Sequence, residues 1–235
     1  MNEEFQDVKY SLETLDDVKD ISNNPVVKSL ISVVSLIPGM GTFVNSAIAE
    51  KVSMFQKEKR EKLIDIIFSD GTITQEQVSD VQFIMEFAKL LDVIDRLPTN
   101  TKVEYLGKLF KNSMLSNDDD KFDRFEEYLY RFNELSNREI EILYLLYGCQ
   151  KDWSKLPYPN GNADAKKFKI WSDFKKLASE KFDLSKGEVD TIVAGIVRTG
   201  FCKPYFVSLA KTSEIIYRAT SDFAEFVDLV KENQQ

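Results

Sequence analysis

The densest group of chemically capable side chains is Asn117-Asp118-Asp119-Asp120, with Glu126 shortly after. Carboxylates hold divalent cations and serve phosphoryl transfer when two or more converge on one point. Consecutive residues diverge on any regular element, and no partner motif stands nearby. The run therefore reads first as a solvated loop at a helix N-terminus, where acids meet the positive end of the dipole. A carboxylate-dependent nuclease using Asp118, Asp119, Asp120 or Glu126 is the enzymatic alternative. A second candidate, Ser69-Asp70-Gly71-Thr72-Ile73-Thr74, has the outline of half a calcium loop. With Gly71 at the loop's central glycine position, Ile66 and Phe68 stand where carboxylates belong and Gln77 where the bidentate Glu belongs, so no calcium site is expected. Thr74 and Gln77 fit a capping box better.

The 235 residues include no histidine. Ser-His-Asp and Cys-His devices are thereby excluded, as are zinc sites built on imidazole. Cys149 and Cys202 are the two cysteines. They cannot make a four-thiolate zinc site, they form no CxxC, and their number suits a reducing compartment. A general acid or base would have to be a carboxylate, Lys, Tyr or Cys with a shifted pKa. No catalytic residue, cofactor or metal site is expected, and the chain is expected to be no enzyme. The acidic start MNEEFQDVKY, without an apolar h-region, predicts a cytoplasmic chain with no signal peptide.

These side chains must be positioned by elements that the apolar pattern marks out. Asn24 to Phe55 is the most apolar stretch: between Pro25 and Ala49 the only charged residue is Lys28, in a chain where 30% of residues are charged. Two arms separated by Pro38-Gly39-Met40-Gly41 predict a helical hairpin over 25–55. Its candidate membrane- or partner-facing residues are Val26, Val27, Leu30, Ile31, Val34, Leu36, Ile37, Pro38, Gly39, Gly41, Phe43 and Val44. Val26 to Ile37 is about 18 Å long as a helix, too short to cross a bilayer alone. The hairpin is either a core element of a helical domain or a re-entrant, inserting one. The basic run Lys57-Glu58-Lys59-Arg60-Glu61-Lys62 would then be a collar suited to an anionic membrane surface, peripheral to the inner face of the cell membrane. Alternatively it is the exposed face of a continuing helix whose Leu63, Ile64, Ile66, Ile67 and Phe68 return to the core.

Downstream, Val81, Ile84, Met85, Ala88, Leu91, Ile94 and Leu97 mark one face of a helix ended by Pro98. Val103, Leu106, Leu109, Phe110 and Met114 mark the next, and Phe122, Phe125, Tyr128, Leu129 and Phe132 another. Residues 1–133 carry 16 basic and 24 acidic side chains, giving -8, whereas residues 134–235 carry 15 of each, giving zero. This shift supports two domains, a helical one at 1–133 and a second at 134–235.

In the second region Ser136 and Glu139 form a capping box, with Gly148 closing the helix. Ala165 to Phe182 is the next helix, and Ser185 with Glu188 opens a third that ends at Gly200. Phe201 to Val207 and Glu214 to Tyr217 predict a hairpin around the turn LAKTS, and Thr220 caps a last helix. Three helices, a hairpin and a helix are the order of a winged-helix domain. The expected fold is therefore mainly α, a helical bundle with a central apolar hairpin followed by a winged-helix-like domain. The lysines Lys166, Lys167, Lys169, Lys175, Lys176 and Lys181 are expected on the outward face of the second helix. Those except Lys181, with Lys203 and Lys211 of the wing, are candidate phosphate contacts, and the wing also offers Arg218. Lys186, Glu188, Asp190 and Arg198 make the third helix a poor groove reader, so sequence-specific DNA recognition is disfavoured and a protein partner favoured.

Several phrases resemble bacterial phage-resistance proteins of the abortive-infection, Abi-alpha type. They are the hairpin turn Ile37 to Gly41, the charged helix Lys57 to Leu63, Asn100 to Met114, Glu134 to Leu146, and Ile215 to Val230. The resemblance implies cell-autonomous defence and carries no catalytic residues. The expected function is a non-enzymatic defence effector, membrane-active through its hairpin, with an unidentified protein partner and scope to oligomerise. The alternative is a soluble interaction or regulatory protein with weak nucleic-acid contact, its hairpin permanently buried.

Overall fold

Charged and apolar residues alternate with helical period from Lys57 to Phe68, and here the chain forms one long helix. The structure, a computed structural model, describes residues 47–154, 163–209 and 212–231, with side chains over 54–152, 164–208 and 213–231. Val26 to Val44, and with them most of the expected hairpin, lie outside the described residues, as does Lys211. The described residues form nine α-helices, one 3-10 turn and one two-stranded antiparallel sheet, so the chain is mainly helical. None of these helices is long and apolar enough to cross a membrane. Two compact units divide them: residues 47–129 with 229–231, and residues 130–228.

In the first unit α1 (Ala47–Phe68) packs on α3 (Val81–Arg96) and α4 (Thr101–Leu115), with the short α2 (Gln75–Val78) leading into α3. Thr74 and Gln77 form the expected capping box, and Asp80 then accepts from the Gln82 amide to start α3. Leu63, Ile64 and Ile67 of α1 are buried with Leu90 and Ile94 of α3 and Leu106 and Leu109 of α4. Phe110 is the centre of this core. Phe83, Phe87 and Phe125 meet it edge-on at centroid distances of 5.0, 5.6 and 5.2 Å. Such contacts favour the ring quadrupoles as well as burying area. At Gly107 a Cβ would lie 3.0 Å from Ile66 Cγ2, so the missing side chain lets α4 approach α1 closely.

Two expectations change here. The α3 stripe holds at Ile84, Ala88, Leu91, Ile94 and Leu97, which are buried, but Val81 and Met85 are exposed, and Phe83 and Phe87 join the core. Large rings bury more apolar area than Val or Met, so they set which face turns inward. The basic run after Phe55 is also no plain solvated collar. Lys59 is buried and donates to the carbonyls of Asp95 at 3.0 Å and Leu97 at 2.9 Å, with its ammonium 4.7 Å from the Phe55 ring. These carbonyls end α3, where a cation offsets the negative end of the dipole. Arg60 grips the Asp95 carboxylate through Nε at 2.9 Å and through Nη2.

The second unit begins in α5 (Lys121–Asn133) and continues through α6 (Asn137–Ser154), α7 (Ala163–Phe182), α8 (Lys186–Ile196) and the 3-10 turn Val197–Thr199. Strands β1 (Cys202–Leu209) and β2 (Thr212–Ala219) follow, then α9 (Ser221–Val230). Ser136 with Glu139, and Ser185 with Glu188, form the two capping boxes, and Thr220 Oγ1 accepts from the Phe223 amide. Gly148 does not end α6, which runs on to Ser154 because Cys149 is buried and Gln150 is tied to β2. Gly200 does end its helix, in the left-handed region at φ 73. A Cβ there would meet Arg131 Nη2 at 2.8 Å, so the position requires glycine on two grounds. The core is aromatic: Phe226 stacks on Phe132 at 4.6 Å, and Phe201 and Phe223 close around it.

Lys59→Met keeps the stem of the side chain but leaves two buried carbonyls without a donor. We expect it to lower stability by about 2–3 kcal/mol in urea unfolding. A change within about 0.5 kcal/mol would mean that the buried ammonium is not a fastening for α3.

Candidate functional site

Every charged side chain of α8 except Lys186 is engaged within the second unit. Glu188 is consumed by its capping box with Ser185. Asp190 Oδ1 lies 3.5 Å from Lys175 Nζ, an ion pair without hydrogen-bond geometry. Burial pushes the Asp190 carboxyl above its ordinary value, and Lys175 only partly offsets this. Lys175 donates to Glu214 Oε1 at 2.5 Å, and Trp171 Nε1 donates to the same oxygen at 3.3 Å. Arg198, in the following turn, forks onto Glu139 at 2.6 and 3.1 Å and donates to the Glu134 carbonyl at 2.7 Å. Burial works to raise the Glu139 carboxyl, but Arg198 and the Ser136 cap outweigh it and hold it low. The Glu139 hydrogen bond in turn raises Arg198.

The hairpin has two unlike faces. Thr220 N donates to Phe201 O, and the Gln150 amide group meets Tyr217 O at 3.5 Å and Ala219 N at 3.2 Å from outside the sheet. Antiparallel alternation then makes Lys203↔Arg218 and Tyr205↔Ile216 hydrogen-bonded pairs, and Pro204↔Tyr217 and Phe206↔Ile215 non-hydrogen-bonded ones. Pro204, lacking an N–H, thus stands where none is needed by the partner strand. One face carries Cys202, Pro204, Phe206, Ser208, Ser213, Ile215, Tyr217 and Ala219, with no charge among them; Cys202, at the root, is buried. Phe206 is 71% exposed and its direct partner Ile215 54% exposed. The other face carries Lys203, Tyr205, Val207, Glu214, Ile216 and Arg218; Val207 and Ile216 are buried.

The candidate phosphate contacts do not form one surface. Lys166 is buried, and Lys175 is largely enclosed by Glu214, Asp190 and the Trp171 ring, so neither lies on an outward face. Lys167 pairs with Asp164, Lys169 with Asp173 and Lys176 with Glu180, each within α7. Lys203 is exposed, with its ammonium 5.5 Å from the Tyr205 ring. The exposed Phe206–Ile215 pair was not among the expected site residues. Its signal is legible in Tyr205-Phe206-Val207 and Ile215-Ile216-Tyr217, where apolar residues point to both sides of a strand and, toward the turn, only one side meets the core.

The carboxylates are dispersed. Asp118, Asp119 and Asp120 are exposed just before α5, and Asp118 and Asp120 pair with Arg124. Glu126 accepts from Lys89, which also donates to the buried Glu86 at 2.9 Å. No group of three or more His, Cys, Asp or Glu among the described residues could hold a metal ion. Both thiols are buried, and burial pushes Cys202 up to about 12 and raises Cys149. Comparison with protein families, curated proteins and solved structures finds no match to this chain.

Glu86 leaves Oε2 buried and without a partner. Burial pushes its carboxyl above the ordinary 4.5, Lys89 pulls it back, and Glu126 and Asp123 add to the rise. The folded chain therefore holds this proton more tightly than the unfolded chain. Its contribution to stability is most favourable below pH 4.5 and declines as pH rises through the folded value. Glu86→Gln should remove that decline in denaturation curves taken from about pH 4 to 7. An unchanged pH slope in the variant would assign the effect elsewhere.

Proposed function

We propose that this chain is a non-enzymatic interaction protein of bacterial anti-phage defence, of the abortive-infection type. Residues 134–235 act as a winged-helix-like domain that meets a protein partner through its hairpin rather than through its third helix. The observation that carries this is the Phe206–Ile215 pair, two large apolar side chains held side by side in solvent on an uncharged face. Interface centres are depleted of charge and enriched in aromatic residues. The internal engagement of Glu188, Asp190 and Arg198 supports the choice of the hairpin over α8, because side chains already paired have little to offer base edges. The Abi-alpha resemblance supplies the defence role. In this proposal the apolar stretch Val26 to Ala49 is the effector element, conditionally exposed to the inner face of an anionic membrane.

A second reading keeps that stretch permanently packed and the protein soluble and regulatory. It is favoured by Lys59, whose buried bonds to the end of α3 fasten the helix that directly follows the stretch. Phage challenge of bacteria expressing the chain tests the proposal. Wild type should protect, and Phe206→Ser with Ile215→Ser should abolish protection without changing the melting temperature. A double variant that protects as well as wild type would remove the hairpin from the mechanism. Wild type that gives no protection would remove the defence role.

A further inference from the structure

Several basic residues of the second unit are paired with a carboxylate of the same unit. Arg131 pairs with Asp222, Lys167 with Asp164, Lys169 with Asp173, Lys175 with Glu214 and Arg198 with Glu139. Lys203 and Arg218 instead face each other across the strands, directly opposite in register. Among the described residues no carboxylate forms an ion pair with either. Like charges directly opposite in a sheet are destabilising. Both side chains approach the ring of Tyr205, each at 5.5 Å from its centroid, and all three share one face of the hairpin. Both cations are exposed and the ring is half-buried.

An uncompensated cation pair kept in solvent beside an aromatic ring is the arrangement that receives an anion attached to a flat group. We propose that Lys203, Tyr205 and Arg218 form a contact site for single-stranded nucleic acid, independent of sequence. The two cations take successive phosphates and the ring takes a base. Base stacking on an aromatic side chain tolerates any sequence, since every base has a π-face. A duplex is disfavoured, because α8 has its Asp190, Glu188 and following Arg198 committed internally and leaves Lys186 as its one uncommitted charge, too little to read a groove. The site uses the face of the hairpin opposite Phe206 and Ile215, so it does not rest on the protein-partner proposal.

Fluorescence anisotropy of the full chain with a labelled thymidine oligonucleotide of about 15 nucleotides tests it. Two phosphate contacts predict a log–log salt slope of about -1.4 on a single strand. Lys203→Gln with Arg218→Gln should flatten the slope and lower affinity at least tenfold, while the melting temperature stays level or rises because the opposed charges are gone. Tyr205→Leu should lower affinity about tenfold and leave the slope in place. No binding at low salt, or equal binding by the Gln double variant, overturns the site. So does a polyglutamate or an anionic vesicle that competes as well as unlabelled oligonucleotide, since either would show a site for charge alone. A double variant that melts well below wild type would assign the pair a purely structural role.

Discussion

One guanidinium organises the second unit. Arg131, near the end of α5, donates through Nε to the Thr199 carbonyl at 2.6 Å and through Nη1 to Asp222 at 3.1 Å. Its guanidinium carbon lies 4.4 Å from the Phe201 ring centroid. A planar cation with several donors can make all three contacts in one orientation, which a lysine cannot. It thereby fixes the turn after α8, the residue that leads into β1, and the start of α9. Gly200 is where the chain bends around it, with no room for a Cβ. The direction in which the hairpin leaves the body follows from this node.

With the hairpin's root fixed, its two faces follow from the alternation of the strand. Gln150 occupies the outer edge of β2 near its end, Glu214 is tied to Trp171 and Lys175, and Val207 and Ile216 fill the core side. What remains is an uncharged apolar face and a small basic, aromatic one. Neither is needed to satisfy the fold's own hydrogen bonds. The exposed apolar pair and the opposed cations both run against folding stability, and such local conflicts are expected at sites kept for something other than stability.

Much of this architecture was legible because it is locally encoded. Capping boxes at Thr74, Ser136 and Ser185, the break at Gly200 and the existence of the hairpin all depend on residues close in sequence, and the structure has them, with strands one or two residues longer at the turn and at the end of β2 than expected. Gly148 misled because a single glycine inside a helix costs only about 1 kcal/mol, which tertiary contacts at Cys149 and Gln150 outweigh. The exposure of Val81 and Met85, the core places of Phe83 and Phe87, and the burial of Lys59 were not legible. They depend on which rings pack against Phe110 and on where the end of α3 falls in space, and neither is written in periodicity. The lysines of α7 were misread for the same reason: Lys166 and Lys175 share the sequence spacing of an exposed face, and only the position of Glu214 draws Lys175 inward. The candidate site was therefore half visible, with Lys203 and Arg218 expected on the wing and the Phe206–Ile215 and Tyr205–Arg218 partnerships set by a strand register that sequence alone does not give.

The central claim is that Arg131 holds the hairpin and α9 to the rest of their unit. Amide hydrogen exchange of Arg131→Met measures it most directly. Protection should fall together over Cys202–Leu209, Thr212–Ala219 and Ser221–Val230, while α6, α7 and α8 keep theirs. Unchanged protection in the strands, or an equal loss through all the helices, would contradict the account.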